Sequence, residues 1–468
     1  MESSSLLSFG AEFILAAALV SFWCIRLTRQ RGIFLIVLII VAYNLAWDAI
    51  GLRFGIELVH QRELRVFGVL VGFVVVVAAV LSLPIFFARL QRGRLSLTRY
   101  DVWNIMLPAV VGVLGFVVGW VRGNDLGYLL SDTYKLLVVS AAYFISLVNV
   151  RGEEEARLVF GVLIALVAFQ QLLDVVLFGL RWRLAGKMVR VADQFWVNKL
   201  LLLPFLGVAL GARLSKSQLM RYGSALVVTM LSVFVSMYRT ALIVGGVLLL
   251  LAVPLRKCPR LVRNLVAIAI LVLFISAFLI SLLRAGGLGG QMVWKLGKVF
   301  DAFRTRLESM GVTDTSMEVK LVEIQSVLRE FRTNGTLLEW LGGFGAGAQY
   351  GASEVSRVSA GFLRWEQMFG PSGQVHHIHN FFFAALFRYG LTGILLLLVL
   401  FLQISIALSM WQKRVRGTPS WSIMRSILLY WVGTLLVLNL FPFFWGDVNW
   451  GVLLALASVI GKDYRRRR

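Results

Sequence analysis

The sequence predicts an all-α polytopic integral membrane protein, with about 12–13 transmembrane helices and one large helical loop on the outer side. Hydrophobic residues make up 59% of the 468 positions and charged residues only 15%, and the mean hydropathy is +0.82. Apolar runs of the roughly 20 residues that cross a bilayer as a helix recur along nearly the whole length. A composition this apolar excludes a soluble globular protein.

The apolar runs predict about thirteen spans. The first run, Phe9 to Cys24, has no basic segment before it and no small-residue cleavage site after it, so we expect a span rather than a cleaved signal peptide. The chain then divides into ten spans within residues 1–284, a large loop at 285–378, and three spans with a basic tail at 379–468. The spans are predicted at 9–25, 33–51, 66–88, 102–120, 130–150, 158–180, 194–212, 222–238, 240–255, 264–284, 379–403, 425–443 and 447–461.

Lysine and arginine residues cluster in alternate connections, at 26–31, 89–99, 213–221, 256–263, 413–416 and 465–468. Because basic residues accumulate on the cytoplasmic side of membrane proteins, this side is predicted to be cytoplasmic. The N-terminus and the loop are then outside and the C-terminus inside. The net charge of +23 is interpreted as this topology signal, and no nucleic-acid partner is expected. Cys24 and Cys258 both fall near the cytoplasmic side, so neither a disulfide nor a cysteine metal site is expected.

The loop 285–378 is the one connection with room for structure outside the bilayer. Amphipathic stretches predict helices near 294–310 and 317–331. In the second helix, four apolar residues share one face at spacings of three and four, namely Leu321, Ile324, Leu328 and Phe331. Glu323 and the other charged residues are expected off this face or beside it. A glycine-rich stretch at 341–347 follows, and such a stretch alone is typical of an ordinary loop.

His379 and Asn380 are followed by nine residues and then by Gly390-Leu391-Thr392-Gly393, where the polar loop re-enters an apolar run. This pattern resembles the signature of the O-antigen ligase and polymerase superfamily, integral membrane glycosyltransferases that act on sugars carried by a polyprenyl pyrophosphate. Segments 235–241 and 318–347 also resemble elements of that family. The resemblance implies a GT-C-like fold with the active site at the outer face, beneath the large loop.

Transfer of a sugar from a pyrophosphate needs cations, and arginine suits this task because its planar fork pairs with phosphate oxygens and stays charged. Arg239 lies in a long apolar stretch, where a charge is costly unless it has a function or a partner. It resembles the arginine of the family's Ser-Arg-Gly/Thr-Ala element, although Tyr238 stands where many members have serine. The resemblance makes Arg239 a pyrophosphate ligand; the alternative is a side chain that extends to an outer headgroup.

The family has a second cation at the start of the loop helix. Lys320 is the nearest match here, and Arg329 or Arg332 could take the same role. Lysine supplies a point charge for phosphate without the bidentate fork of arginine. A solvated helix face is the alternative explanation for all three residues.

Histidine suits the removal of a proton from the acceptor hydroxyl, because its unperturbed pKa lies near neutral pH. The resemblance selects His379 for this role, with Asn380 orienting the ring or the acceptor. His376 and His377 complete a His-His-x-His cluster, so a zinc or copper site is the alternative. No cysteine and no closely spaced carboxylate completes such a site in the sequence. We therefore expect no metal and no cofactor.

Gly390 and Gly393 are assigned to close packing, because small residues let another helix or a lipid tail approach. A continuous helix from His379 would carry the chain about 16 Å before Gly390. On that helix Arg388 lies on the face opposite His379, below the surface, and needs a buried anion. The anions available for this pair are Asp174 and Asp48.

The resemblance implies a metal-independent glycosyltransferase that moves a saccharide from undecaprenyl pyrophosphate to an acceptor hydroxyl in a bacterial inner membrane. A surface-polysaccharide polymerase, for O-antigen or exopolysaccharide, is favoured because the loop is large and nothing marks a ligase acceptor. The alternatives are a lipid A-core O-antigen ligase and a protein O-oligosaccharyltransferase, so the acceptor is a saccharide, a lipid-linked chain or a protein. Other polysaccharide-assembly proteins are candidate partners. From another class, a secondary transporter or exporter would use the buried charges as a mid-membrane pathway.

Overall fold

The computed structural model describes residues 33, 35–37, 39–40, 75–185, 196–210, 216–235, 239–252, 315–351, 374–375, 378, 380–437 and 448–467. These residues are mostly helical, in agreement with the predicted all-α class. The predicted spans at 9–25 and 264–284 and the predicted loop helix at 294–310 lie outside the described residues.

The helices and strands with defined bounds are numbered in chain order. They are α1 (Leu83–Gln91), α2 (Arg99–Val121), α3 (Leu126–Asn149), α4 (Glu153–Ala185), α5 (Trp196–Leu210), α6 (Lys216–Val235), α7 (Arg239–Ala252), α8 (Thr315–Asn334), α9 (Leu337–Gly342), β1 (Tyr350–Gly351), β2 (Gln374–Val375), α10 (Phe381–Arg414), α11 (Trp421–Val437) and α12 (Val448–Arg467). The two short strands pair antiparallel, with Tyr350 opposite Val375.

Four helical segments in the described residues are long and apolar enough to cross a membrane. They are Arg99–Val121, Leu126–Asn149, Glu153–Leu172 and Phe381–Arg414. Each corresponds to a predicted span, at 102–120, 130–150, 158–180 and 379–403 respectively. Shorter apolar helices at Val75–Gln91, Leu201–Leu210 and Trp421–Leu436 overlap further predicted spans. The described part of the chain therefore fits an all-α membrane protein.

The chain forms two compact units, one of residues 1–162, 318–420 and 438–468, the other of residues 163–317 and 421–437. In the second unit α5 packs against α6, α7 and α11. Gly433 of α11 lies against the side chain of Leu248 in α7. Helices α6 and α7 flank residues 236–238, which lie outside the described residues, so the division of this region into two spans stays a prediction.

Helix α3 is the centre of the first unit, because α2 and α12 both pack along it and most of its length is buried. Helix α2 places Gly112, Gly115 and Gly119 on its buried side. The opposite side of α2 exposes apolar residues such as Val113 and Val117. A helix that is apolar on all sides and open on one is expected where that side faces lipid.

The start of α2 is tied to α3 and α12 through one buried carboxylate. Asp101 closes a capping box with Thr98 at the first turn of α2. The hydroxyls of Tyr143 and Ser458 donate to Asp101 Oδ1 at 2.7 and 2.6 Å. Lys462 Nζ lies 2.6 Å from Asp101 Oδ2. These bonds fix the end of the first unit at which α2 begins and α12 ends.

Helix α8 confirms the second helix predicted in the loop but not its buried face. Val327 and Phe331 are fully buried, whereas Ile324 and Leu328 are only partly buried. Glu323, which was expected off the buried face, is 1% exposed. The helix is therefore rotated relative to the face that the apolar spacing predicts.

An aromatic cluster explains this rotation. The ring centroid of Phe331 lies 4.6 Å from Trp340, 4.9 Å from Phe344 and 6.2 Å from Phe387. Such ring pairs stabilise a packing arrangement beyond the area they bury. Spacing identifies the residues that share a face, but the partner that a face meets sets the final rotation.

Candidate functional site

Helix α10 is broken at Gly390. This residue has φ 65° and ψ −169°, a backbone conformation that essentially only glycine adopts. A side chain here would also collide with the carbonyl oxygen of Leu341, and Gly343 lies equally close to the backbone of Arg388 and Gly390. The close packing predicted for Gly390 is present, and its neighbour is the end of α9 at Leu341 together with the Gly343 that follows it. The continuous helix expected through this position is replaced by a kink.

The loop 341–347 supplies hydrogen-bond donors to carbonyl groups at this kink. The amide of Phe344 donates to Phe387 O at 2.7 Å, and the amide of Gly345 donates to Arg388 O at 3.1 Å. In an unbroken helix these carbonyls would accept from amides four residues later, and the break at Gly390 displaces those donors. The loop and α10 therefore form one structure.

The same loop is held against α2. The amide of Ala346 donates to Gly115 O at 2.8 Å. The side-chain amide of Asn124, just beyond α2, donates to Phe344 O at 3.0 Å and to Ala346 O at 2.8 Å. Gly345 has φ 86° and lies against the α2 backbone, where a Cβ would collide. Glycine is needed there both for the left-handed backbone and for the close approach.

A buried ion pair joins the loop, α3 and α10. Arg388 Nε lies 2.7 Å from Oδ2 of Asp132, and these side chains are 10% and 1% exposed. The amide of Gly347 donates to the same oxygen at 2.9 Å. Lys135 Nζ lies 3.7 Å from Asp132 Oδ1. The Asp132 carboxylate thus balances the charges of Arg388 and Lys135 and accepts a hydrogen bond from one backbone amide.

This pair corrects the partner expected for Arg388, which is Asp132 rather than Asp174 or Asp48. Asp48 and the side chain of Asp174 lie outside the described residues. Arg388 and Asp132 both occupy the first two turns of their helices, about 9–11 Å from the helix starts. The centre of a bilayer core lies about 15 Å from its edge. The pair is therefore nearer one end of these helices than the middle of a span.

Tyr350 bounds the site on the loop side. Its phenol ring lies 6.0 Å from that of Phe387, and its strand pairs with Val375. Burial raises the pKa of the Tyr350 phenol, the nearby Glu323 raises it further, and Arg388 opposes the shift. The Tyr350 phenol therefore stays protonated at physiological pH.

The residues on either side of His379 in the sequence are anchored. Ile378 is 1% exposed within the hydrophobic cluster that contains Phe331 and Phe387. Asn380 caps α10, because its Oδ1 accepts from the amides of Phe382 at 3.0 Å and Phe383 at 3.2 Å. This oxygen is therefore engaged by the helix, while the role predicted for Asn380 toward the ring or the acceptor stays a prediction.

His379 itself, with His376 and His377, lies outside the described residues. Its assignment as the proton acceptor stays a prediction, as does the alternative of a histidine metal site.

An open groove of about 490 Å³ is lined by α2, α9 and α10. Most of its lining is apolar and includes Leu114 and Val117 of α2. Tyr389 contributes to the lining, and an added side chain would collide with its ring at Gly115 and with its Cβ at Gly393. Gly393 therefore packs closely, but against Tyr389 Cβ in its own helix and not against another helix or a lipid tail as predicted.

Arg122 and Glu339 line this groove where α2 ends and form an ion pair. The Arg122 guanidinium also lies over the ring of Phe344, 5.3 Å from its centroid. Glu339 accepts from the amide of Thr336 at 2.6 Å and so caps α9. The Arg122 side chain is 34% exposed and that of Glu339 only 10%. A guanidinium with exposed donors next to an apolar groove suits an amphiphile with an anionic head.

The remaining predicted cations lie elsewhere. Arg239 is the first residue of α7 in the second unit, and Lys320 lies in α8, but the side chains of both are outside the described ones. Arg329 and Arg332 are exposed on α8 and are not among the described residues that line the groove. Their predicted roles remain predictions.

The sequence interpretation missed Asp132, Arg122 and Glu339. Asp132 could have been found, because a carboxylate inside an apolar span needs a cation just as Arg388 needs an anion. Arg122 closes a long apolar run, which indicates a helix end but not a site. Glu339 stands three residues after Thr336, a capping-box spacing that predicts the start of α9.

Comparing the chain with known protein families gives no match, and comparing it with curated proteins gives none either.

Proposed function

We propose that the protein is a membrane glycosyltransferase of the O-antigen ligase and polymerase type, with a GT-C-like fold of about 12–13 spans. The donor is a saccharide on undecaprenyl pyrophosphate, and the acceptor hydroxyl belongs to a saccharide, a lipid-linked chain or a protein. The reaction takes place at the outer face of a bacterial inner membrane, with the N-terminus outside and the C-terminus cytoplasmic. A surface-polysaccharide polymerase is the favoured form.

The groove beside Arg122 is the observation that supports this proposal most. A polyprenyl donor must reach the site from within the bilayer, so the enzyme needs an apolar opening between helices. The groove is such an opening, and α10 contributes Tyr389 and Gly393 to it. These residues directly follow the helical segment that Asn380 caps. A lipid chain in the groove would therefore lie beside the segment that carries the sequence pattern.

The chemistry assigns one task to each predicted residue. The acceptor oxygen attacks the anomeric carbon, and the bond from that carbon to the pyrophosphate oxygen breaks. His379 takes the acceptor proton. Arg239 and a loop cation, Lys320 or one of Arg329 and Arg332, stabilise the negative charge that develops on the leaving pyrophosphate. The energy comes from the pyrophosphate linkage, so neither a nucleotide sugar nor a metal is required.

The position of the buried charges favours a transferase over a transporter. In secondary transporters the substrate site lies near the bilayer midplane. Asp132 and Arg388 lie about 10 Å from the starts of their helices. They also bind the backbone of the loop 341–347. This arrangement supports a structural role beneath the loop.

A matched pair of α2 variants tests the groove. Val117 and Val113 are each 51% exposed, and of the two only Val117 lines the groove. Val117→Trp fills part of the groove and excludes methylene groups of the lipid chain. Burial of each methylene group contributes about 0.8 kcal/mol to binding. If two methylene groups lose their contacts, the apparent KM for the donor rises by about tenfold. Val113→Trp places the same ring toward lipid and should leave the kinetics unchanged.

The assay uses lipid-linked saccharides extracted from a deletion strain and membranes that contain each variant at equal abundance. Elongated saccharide is measured against donor concentration. If single lipid-linked repeat units do not accumulate in the deletion strain, the polymerase proposal is wrong. Equal kinetics of the two tryptophan variants would reject the groove as the donor path.

A further inference from the structure

A small basic cavity lies at the opposite end of the first unit from the candidate site. It has a volume of about 40 Å³ and is lined by Arg89, Arg94, Arg151, Lys462 and Asp463, among others. The cavity is beside the start of α2, where Asp101 holds Lys462. Space for about three water-sized groups admits the free oxygens of one phosphate but not a nucleotide.

Two of the four basic side chains have internal partners. Lys462 Nζ lies beside Asp101 and donates to Ser96 O at 3.0 Å. Arg89 Nη1 donates to Val148 O near the end of α3. Both side chains are thus held in place around the cavity. Their positions do not depend on a ligand.

The other two basic side chains are exposed. Neither the Arg94 nor the Arg151 guanidinium forms an ion pair within the described residues. Three carboxylates are near: Asp101 pairs with Lys462, Asp463 accepts from the amide of Glu153 at 3.0 Å, and Glu155 accepts from the amide of Arg151 at 2.7 Å. Among the residues that line the cavity, four are basic and only Asp463 is acidic, and the Arg94 and Arg151 guanidinium groups have no hydrogen-bond partner among the described residues.

An apolar surface adjoins this cavity. Helix α1, which carries Arg89, exposes Leu83, Ile85, Phe87 and Leu90. A free phosphate ion gains nothing from exposed aliphatic and aromatic side chains. An anionic phospholipid uses both features, because its acyl chains cover the apolar face while its phosphate meets the cations.

We propose that this cavity binds the phosphate of an anionic phospholipid headgroup, with the acyl chains along the exposed face of α1. The guanidinium groups of Arg94 and Arg151 supply the charge-assisted hydrogen bonds. The bound lipid would join α1, the connection from α3 to α4, and α12. This site is independent of the transferase chemistry and would exist in a protein of another function.

The test compares two double variants that each remove two positive charges. Arg94→Gln with Arg151→Gln removes the guanidinium groups at the cavity. Lys413→Gln with Arg416→Gln removes two exposed charges, one in the last turn of α10 and one in the turn that follows. That turn is at the same end of the unit, because the Trp411 ring lies 6.1 Å from that of Tyr100 at the start of α2.

Native mass spectrometry of the full chain in detergent measures the occupancy of phosphatidylglycerol and of phosphatidylcholine with identical acyl chains. We expect the cavity variant to bind phosphatidylglycerol about tenfold more weakly or worse, and the control variant to remain within about twofold of the natural chain. Phosphatidylcholine should bind all three equally weakly. Circular dichroism and gel filtration check that each variant is folded.

A second arm separates a lipid headgroup from a free anion. Phosphatidylglycerol should raise the thermal stability of the natural chain, while inorganic phosphate at the same concentration should not raise it or displace the lipid. Equal losses in the two double variants would show attraction by overall charge and would overturn the site. Displacement by inorganic phosphate would show an anion site without lipid selectivity and would also overturn the proposal.

Discussion

The buried pair between Asp132 and Arg388 gives a direct test of how the site is assembled. Asp132→Asn removes the negative charge but keeps the shape of the side chain and an oxygen that can accept from Gly347. The guanidinium of Arg388, 10% exposed, then remains as a buried cation with Lys135 nearby. Removing one partner of a buried pair costs about 3–5 kcal/mol, because the other charge stays desolvated without compensation. We expect a loss of stability of that size.

Two further variants separate this effect from ordinary damage. Lys135→Gln removes a cation 3.7 Å from the same carboxylate, but its side chain is 20% exposed, so the cost should be about 0–1 kcal/mol. The double variant Asp132→Asn with Arg388→Met removes both buried charges. Such replacements are often neutral, so it should recover at least half of the loss.

Equilibrium unfolding of the purified chain in mixed micelles, titrated with a denaturing detergent, measures these differences. The reasoning fails if Asp132→Asn costs no more than Lys135→Gln. It also fails if the double variant is as unstable as Asp132→Asn. The loss of stability would then come from the change at Asp132 itself and not from the uncompensated charge of Arg388.

Three other predictions concern topology and chemistry. In a chain without its natural cysteines, Gly351→Cys should react with an impermeant thiol reagent in right-side-out spheroplasts and Arg416→Cys should not; the reverse result would place the loop inside. Arg239→Ala should abolish transfer, and Arg239→Lys should restore only part of it because lysine lacks the bidentate fork. Full activity of the alanine variant at normal abundance would mean that Arg239 only contacts an outer lipid headgroup. His379→Ala should lower turnover by roughly 10²–10⁴-fold, whereas alanine at the other two histidines and a strong chelator should cost little. A metal site would give loss on chelation, rescue by zinc and damage from at least two of the three substitutions.

The long helices were predictable because their signal is local. The span predicted at 102–120 is α2 at Arg99–Val121, and the one predicted at 130–150 is α3 at Leu126–Asn149. A run of about 20 apolar residues has few stable forms in a bilayer other than a helix. The ends were less accurate because polar caps set them: Thr98 starts α2 three residues before the apolar run.

The contacts within the site were not predictable because they join distant parts of the chain. Arg388 was recognised as a residue that needs an anion, but hydropathy does not choose among the carboxylates of different spans. Glu323 was expected off the apolar face of α8 or beside it, and its burial was not predicted for a related reason. Its burial follows from the surroundings of α8, including Tyr350 and the aromatic cluster, and not from the spacing of apolar residues along that helix.

The spacing of the sequence pattern has a physical explanation within this fold. Asn380 starts α10 by capping its first amides, and Gly390 ends the first helical segment because only glycine adopts its backbone conformation. The distance between cap and kink is therefore fixed at ten residues, about 15 Å of helix. Gly393 must lack a side chain because Tyr389 Cβ lies against it after the kink. A change in this spacing would shift the cap relative to the kink, the loop 341–347 and the groove, so in the proposed site the pattern sets the distance between the residue before the cap and the groove.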